Sequence, residues 1–301
     1  MKKHLSFAFI AALLAGLNVP LSIFLLQFGA QPIFLAGWTY LASGLALGLL
    51  FLILKLSKHE LGPSLRGIDW LYVGLINLLD GTANVLLFLG LQRLNGETAS
   101  LLQSFEVVAT AVVALLLFKE KISWRLGLAI LIVVGASVLL SFNPAENFAF
   151  EPAALYILGT TLCWGFTNNL AKKLSGKDPV EYGMVKGLIP GIVLVVVALF
   201  LGQGSTDYRV YLIGLLDGAL AYGLSIVFLV LSFRKLSASL GTAIYASNPF
   251  LGALFALLFF PHWPTWNFYV ALALLILGEG LAALDGFLSE RKTLTAPSSP
   301  D

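Results

Sequence analysis

Charged residues are scarce in this sequence, because Lys, Arg, Asp and Glu together make up only 11% of its 301 positions. An ordinary soluble domain carries about 25% charged residues. Hydrophobic residues make up 58% of the sequence, more than the usual share of about 45–50%. Together the two values predict an integral membrane protein. The net charge of +2 gives no strong basic surface, and no nucleic-acid partner is predicted.

Cysteine and histidine are also nearly missing. The single Cys163 excludes a disulfide framework within the chain and a cysteine-based zinc site. The three histidines, His4, His59 and His262, lie at a terminus or in loops. The sequence has no HExxH, GxSxG or Walker A pattern. We therefore expect no enzyme, no metal and no cofactor, and any transport must be driven by a gradient rather than by ATP.

Long apolar runs are what the sequence has in abundance. A membrane-spanning helix needs about 20 mostly apolar residues. Ten candidates meet this requirement: 5–27, 32–54, 69–91, 97–118, 123–142, 152–173, 180–201, 208–232, 237–260 and 266–288. The first run is too long for a signal peptide and is interpreted as a retained helix. The predicted fold class is an all-α membrane protein with ten transmembrane helices.

The positive charges agree with this count. If the N-terminus is cytoplasmic, 15 of the 18 Lys and Arg residues fall on the cytoplasmic side. Only Arg93 and Arg209 fall outside, and Lys186 lies within a span. Such a bias follows the positive-inside rule. It predicts a multi-pass protein of the cell (cytoplasmic) membrane with both termini cytoplasmic, and the polar segment 291–301 is predicted to be a disordered tail.

The two halves of the chain resemble each other weakly. LINLLDG at 75–81 matches LIGLLDG at 212–218 in six of seven positions. Further on, a constant spacing of 142 pairs Glu106 with Asn248 and also pairs two tryptophans. Apolar segments share Leu and Gly by chance, but the consistent order of the matches argues against that explanation.

The repeat contains five spans, and an odd number inverts the second copy in the membrane. We therefore predict a first five-helix repeat at 1–145 and a second, inverted repeat at 146–290. Inverted repeats are typical of secondary transporters, which place their substrate near the midplane between the halves. The partners expected are a small-molecule substrate, protons and the lipid bilayer, for either a monomer or a homodimer.

The motifs within these halves resemble the EamA family of the drug/metabolite transporter superfamily. The motifs that carry the resemblance are WGF at 164–166 and YASNPFLGALFALLFF at 245–260. In that family the fourth helix of each half tends to carry a Glu-Pro step or a similar one. Here the second half keeps the pattern as Asn248-Pro249, whereas the first half has Glu106-Val107 and has lost the proline.

A second family feature is an arginine seven residues after the proline that opens each second helix. This sequence has Thr39 and Lys186 at those positions, so a cation survives in one half only. The resemblance covers essentially the whole chain. It implies a secondary active transporter that exports a small metabolite, such as an amino acid, by alternating access. The alternatives are a sugar or drug/cation transporter of the same fold, a passive channel, a non-transport membrane subunit or an intramembrane enzyme.

Ionisable side chains inside the spans are the main candidates for function, because burying them in a bilayer is costly. Glu106 lies near mid-depth in the fourth span. It is interpreted as facing a central cavity, where it binds a cationic group or carries a proton. The alternative is a structural role, either as the partner of Lys186 or in a hydrogen bond between helices. Lys186 itself either extends to the cytoplasmic surface or recognises a carboxylate or phosphate.

A polar stripe supports this site. Asn77, Asp80 and Asn84 are spaced at i, i+3 and i+7, which places them on one helix face that must point into the bundle. Glu279 is also near mid-depth, but the resemblance makes the last helix peripheral, so Glu279 is left out. The predicted substrate-binding residues are Asn18, Trp38, Asp80, Asn84, Glu106, Trp164, Asn168, Lys186, Tyr245 and Asn248.

Overall fold

The computed structural model describes residues 2–58, 62–119, 122–144, 149–174, 176–233 and 244–295. Within these ranges the chain is helical apart from its connections and two short strands. Strand β1 (Phe142–Asn143) pairs antiparallel with β2 (Ala149–Phe150). The protein is therefore an all-helical membrane protein, as its composition predicts.

Some predicted spans form one α-helix and others form two shorter ones. The α-helices are α1 Lys2–Gly16, α2 Asn18–Gln27, α3 Pro32–Leu56, α4 Asp69–Leu91, α5 Gly96–Leu102, α6 Phe105–Phe118, α7 Trp124–Leu140, α8 Ala153–Ala171, α9 Pro179–Phe200, α10 Tyr208–Asp217, α11 Ser225–Phe233, α12 Asn248–Phe259 and α13 Trp266–Thr295. A 3₁₀ helix, Lys172–Leu174, follows α8, and a π-helix, Gly218–Leu224, joins α10 to α11.

Among the described residues, seven helical segments are long and apolar enough to cross a membrane. They are His4–Gln27, Pro32–Leu56, Asp69–Leu91, Gly96–Leu116, Pro179–Phe200, Tyr208–Ser232 and Trp266–Leu288. The predicted spans 123–142, 152–173 and 237–260 fall on α7, α8 and α12, and α7 and α12 are apolar but shorter. The count of ten spans stays a prediction.

Two predicted segments, the ninth span and the C-terminal tail, lie partly outside the described residues. The ninth predicted span begins at 237, and its residues 237–243 lie outside the described residues. The predicted tail begins inside α13, which runs to Thr295, and 296–301 also lie outside the described residues.

Several spans that look continuous in the sequence are broken in the middle. The first breaks at Leu17, between α1 and α2, and the fourth breaks at Gln103 and Ser104, between α5 and α6. Around the second break the backbone hydrogen bonds run from residue i to i−3, as in Gln103 N to Ser100 O at 3.1 Å. Hydrogen bonds of this kind form a 3₁₀ turn, which is tighter than an α-helical turn and is common where one helix ends and another begins. Broken helices are tolerated at membrane depth where they line a cavity.

The loop between α12 and α13 is tied to α5 by His262. Its Nε2 lies 2.7 Å from Glu97 Oε1, and its Nδ1 lies 2.9 Å from the carbonyl oxygen of Phe260. Glu97 is only 2% exposed. With an acceptor at each ring nitrogen, the imidazolium form is favoured, and the Phe260 carbonyl followed by Glu97 raises the pKa of His262 above 6.5.

This pair predicts a pH-dependent contribution to stability. Because the folded pKa is raised, the contribution is complete below pH 6.5 and disappears as the pH rises through the folded value. We expect His262→Ala to lower the thermal unfolding midpoint in detergent at acidic pH and to match the parent at alkaline pH. Glu97→Gln should remove the same pH dependence. An identical midpoint difference at every pH would show that the histidine acts through packing alone.

Candidate functional site

The broken helices meet at a cavity of about 90 Å³, here called the central chamber. Residues from each break line it: Asn18 begins α2, Gln103 ends α5, and Tyr222 lies in the π-helix. Insertions of this π type are frequent at functional sites. Seven predicted site residues line the chamber: Asn18, Glu106, Trp164, Asn168, Lys186, Tyr245 and Asn248.

Glu106 lies in the first turn of α6, directly after the break in the fourth predicted span. Asn168 Nδ2, on α8, donates a hydrogen bond to Glu106 Oε1 at 2.5 Å. The N-terminal end of a helix carries a partial positive charge that stabilises a carboxylate. A continuous fourth helix would not offer this, so the break helps to explain how the bundle holds a carboxyl group inside a predicted span.

Lys186 points into the bundle rather than toward the membrane surface. Its Nζ lies 3.1 Å from Asp80 Oδ2, and its side chain is 19% exposed against 0% for Asp80. Lys186 lines the chamber, whereas Asp80 lies behind it on α4, outside the chamber lining. Asp80 therefore holds the lysine in place and does not itself form part of the wall.

Asn84 and Trp38, also predicted to bind substrate, lie outside the chamber lining as well. Asn84 is fully buried: its Nδ2 donates to Ala36 O at 3.0 Å, and its Oδ1 accepts a hydrogen bond from the Tyr222 hydroxyl at 2.6 Å. It thus orients Tyr222, which does line the chamber. Trp38 Nε1 donates to Tyr211 O at 3.1 Å, because it packs against α10 instead.

The structure also adds wall residues that the sequence interpretation misses. Ser43, Thr167 and Ser225 line the chamber with small hydroxyl groups. Serine and threonine are common in transmembrane helices, where their hydroxyl groups often form hydrogen bonds to the helix backbone. Their presence in a sequence therefore does not indicate a binding site. A helix break close to Ser225 is the feature that distinguishes it, and hydropathy does not reveal such breaks.

A second, larger cavity of about 320 Å³ adjoins the chamber and is here called the lateral cleft. The two cavities share Gln103, Glu106, Asn168, Tyr245 and Asn248. From there the cleft extends between α6, α8, α12 and α13. Its other polar wall residues are Ser104, Thr110, Lys172, Glu279 and Asp285. In the part of the chain that the structure describes, no cluster of three His, Cys, Asp or Glu side chains could hold a metal ion.

Comparison with known protein families decides the class of this bundle. The EamA-like transporter family matches residues 2–142 and 151–283. The chain belongs to the EamA-like transporter family. The resemblance stated from the sequence motifs is thereby confirmed, and this EamA-like protein is a multi-pass membrane transporter. Such a protein binds a small-molecule substrate and is surrounded by lipid.

Individual relatives agree with that class. An "uncharacterized transporter" of Methanothermobacter thermautotrophicus is 27% identical over 82% of this chain and 76% of its own. An "uncharacterized solute carrier family 35 member" of Schizosaccharomyces pombe is 24% identical over 69% of this chain. The match spans only 43% of the yeast protein. These names point to a transporter and not to an enzyme.

The fold itself also recurs among solved structures. One crystal structure superposes on 96% of this chain and 99% of its own, with a TM-score of 0.69. The two sequences are 19% identical. At that identity the likeness concerns the fold alone.

Proposed function

We propose that this EamA-like protein is a secondary active transporter that exports a small zwitterionic metabolite, such as an amino acid, by alternating access. The observation that carries the proposal is the central chamber, which presents the carboxyl group of Glu106 and the ammonium group of Lys186. A zwitterion offers one charge to each. Substrate binding at the junction of broken helices is the arrangement known in inverted-repeat transporters.

The proposal includes ten membrane spans in two inverted repeats, 1–145 and 146–290, in the cell membrane with both termini cytoplasmic. The two stretches matched by the family, 2–142 and 151–283, support this division because each fills one proposed repeat. The predicted spans that do not meet the length and hydropathy requirement nevertheless coincide with the helices α7, α8 and α12.

Two polar contacts at the chamber cross between the proposed repeats. Glu106 on α6 accepts from Asn168 on α8, and Asp80 on α4 pairs with Lys186 on α9. Rocking of one repeat against the other must alter such contacts. A substrate ammonium that replaces Asn168 at Glu106 would release one of them, and a proton on Glu106 would do the same. Either event couples occupancy of the chamber to the movement of the halves.

Transport in proteoliposomes tests this function. With labelled amino acids and an imposed pH gradient, we expect the parent to move one compound in response to the gradient. Glu106→Gln should still exchange that compound but lose the response, because the amide keeps the hydrogen bond and cannot carry a proton. The matched control is Glu151→Gln, a carboxyl group outside both cavities. Normal gradient-driven transport by Glu106→Gln would remove Glu106 from the mechanism.

A further inference from the structure

Glu279 is a buried carboxyl group that the proposed transport cycle does not use. It lies on α13, is 8% exposed and lines the lateral cleft. Its Oε1 has no hydrogen-bond partner. A buried oxygen acceptor without a donor costs free energy that a ligand with an N–H group would recover. The wall of the cleft therefore includes a residue whose buried carboxyl group has an acceptor without a donor.

The rest of the cleft wall has one predominant charge. Glu106 and Asp285 join Glu279, and Lys172 is the one basic residue among the described side chains that line the cleft. Asp285 Oδ1 accepts a hydrogen bond from Ser123 at 2.6 Å, whereas Glu279 Oε1 has no hydrogen-bond partner. Three carboxyl groups facing a single ammonium favour a cation over an anion in this cleft.

Most of the remaining wall is apolar, and alanine is its commonest residue. Val107 and Ala111 on α6 face Ala282 and Ala283 on α13 across the cleft. Small residues leave space that larger ones would fill, and here they leave a slot with an apolar surface. A ligand for this cleft accordingly needs an apolar body as well as a charged end. Predominantly apolar walls with a few placed polar groups are typical of small-molecule sites.

We propose that the lateral cleft binds an amphipathic organic cation, whose primary ammonium group donates to Glu279 and whose apolar body lies against the small residues of α6 and α13. A primary ammonium fits better than a quaternary one, because only the former supplies N–H donors to the open carboxylate oxygen. This site is separate from the pairing of charges in the central chamber, although the two cavities share Glu106. It concerns binding and stands whether or not the chamber transports an amino acid.

The test is equilibrium binding to the purified full chain in detergent, without any gradient. The probe is phenethylamine, and 2-phenylethanol is its neutral counterpart with the same ring. We expect the amine to bind at least about tenfold more tightly than the alcohol, and Glu279→Gln to abolish most of that difference. Glu151→Gln is the control carboxyl variant and should bind like the parent.

A second variant keeps the test decisive if Glu279→Gln folds poorly. Ala283→Phe fills the slot while leaving the carboxyl group in place, and we expect it to weaken binding of the amine and the alcohol alike. Equal affinity of the parent for amine and alcohol, or unchanged amine binding by Ala283→Phe, would overturn the inference. Gradient-driven flux through Glu106 is measured separately, so a parent protein that shows this flux but binds the amine no better than the alcohol rejects this site alone. The converse result rejects the proposed transport function alone.

Discussion

Lys186→Met will destabilise the protein by about 3–5 kcal/mol, because it leaves the carboxylate of Asp80 buried without its counter-ion. Asp80 is 0% exposed, and Lys186 Nζ at 3.1 Å is its charged partner. In a bilayer the alternative environment for Asp80 is hydrocarbon, so water cannot substitute for the lysine. The measurement is the free energy of unfolding in mixed micelles under increasing SDS.

The double variant Asp80→Asn/Lys186→Met distinguishes the cost of leaving one charge unpaired from the cost of removing both charges. Removing both charges leaves no unpaired ion, and we expect it to regain most of the stability that either single variant loses. Lys177 and Asp69 provide a matched pair near the end of α4: their contact is 2.7 Å, with side chains 26% and 11% exposed. Lys177→Met should cost only about 1 kcal/mol or less. A Lys186→Met protein no less stable than the double variant would contradict a structural role for the pair.

The location of the helices follows from the sequence, and the reason is physical. A bilayer demands long apolar runs and internally satisfied backbones, so hydropathy alone places every predicted span on a helix of the described chain. The breaks at Leu17 and at Gln103 are different. Hydropathy averages over about twenty residues and does not register a local change of hydrogen-bond pattern. The second break also lacks a proline or glycine, because positions 103 and 104 are Gln103 and Ser104.

For the candidate site, the sequence predicts which polar side chains are buried but not which of them line a cavity. Periodicity correctly turns Asp80 and Asn84 into the bundle, since both are 0% exposed. It cannot tell whether a buried polar group faces a cavity or pairs with a neighbouring side chain. Asp80 and Asn84 do the latter, since they contact Lys186 and Tyr222. Glu279 shows the opposite case. Its helix is peripheral by resemblance, yet the structure places the side chain in the lateral cleft.

Gly44→Ala will disturb the packing of α3 against α9 and lower the free energy of unfolding by about 3 kcal/mol. A Cβ on Gly44 would collide with the backbone nitrogen of Leu188 and would lie 2.8 Å from the backbone carbon of Gly187. Backbone atoms on a facing helix cannot move aside as the tip of a side chain can. Glycine therefore lets these two helices approach more closely than any other residue would allow.

Gly48→Ala is the matched control, one turn further along the same helix. Its Cβ would meet only the side chain of Met184, at 3.6 Å, an ordinary contact distance. Both substitutions change helix propensity equally, so the control should be neutral or stabilise by up to about 1 kcal/mol. The measurement is the yield of monodisperse protein in detergent together with its unfolding midpoint.

The difference between these two variants isolates the helix contact from every other effect of adding a methyl group. It also bears on transport, because α3 belongs to the first proposed repeat and α9 to the second. In the proposed alternating-access cycle a rocking movement would pass through this contact, where Gly44 and Gly187 have no side chains to interlock the two helices. If Gly44→Ala folds as well as Gly48→Ala, the helices are further apart than described and the repeats must meet elsewhere. If Gly44→Ala alone fails, the close approach of α3 and α9 at Gly44 is required for folding.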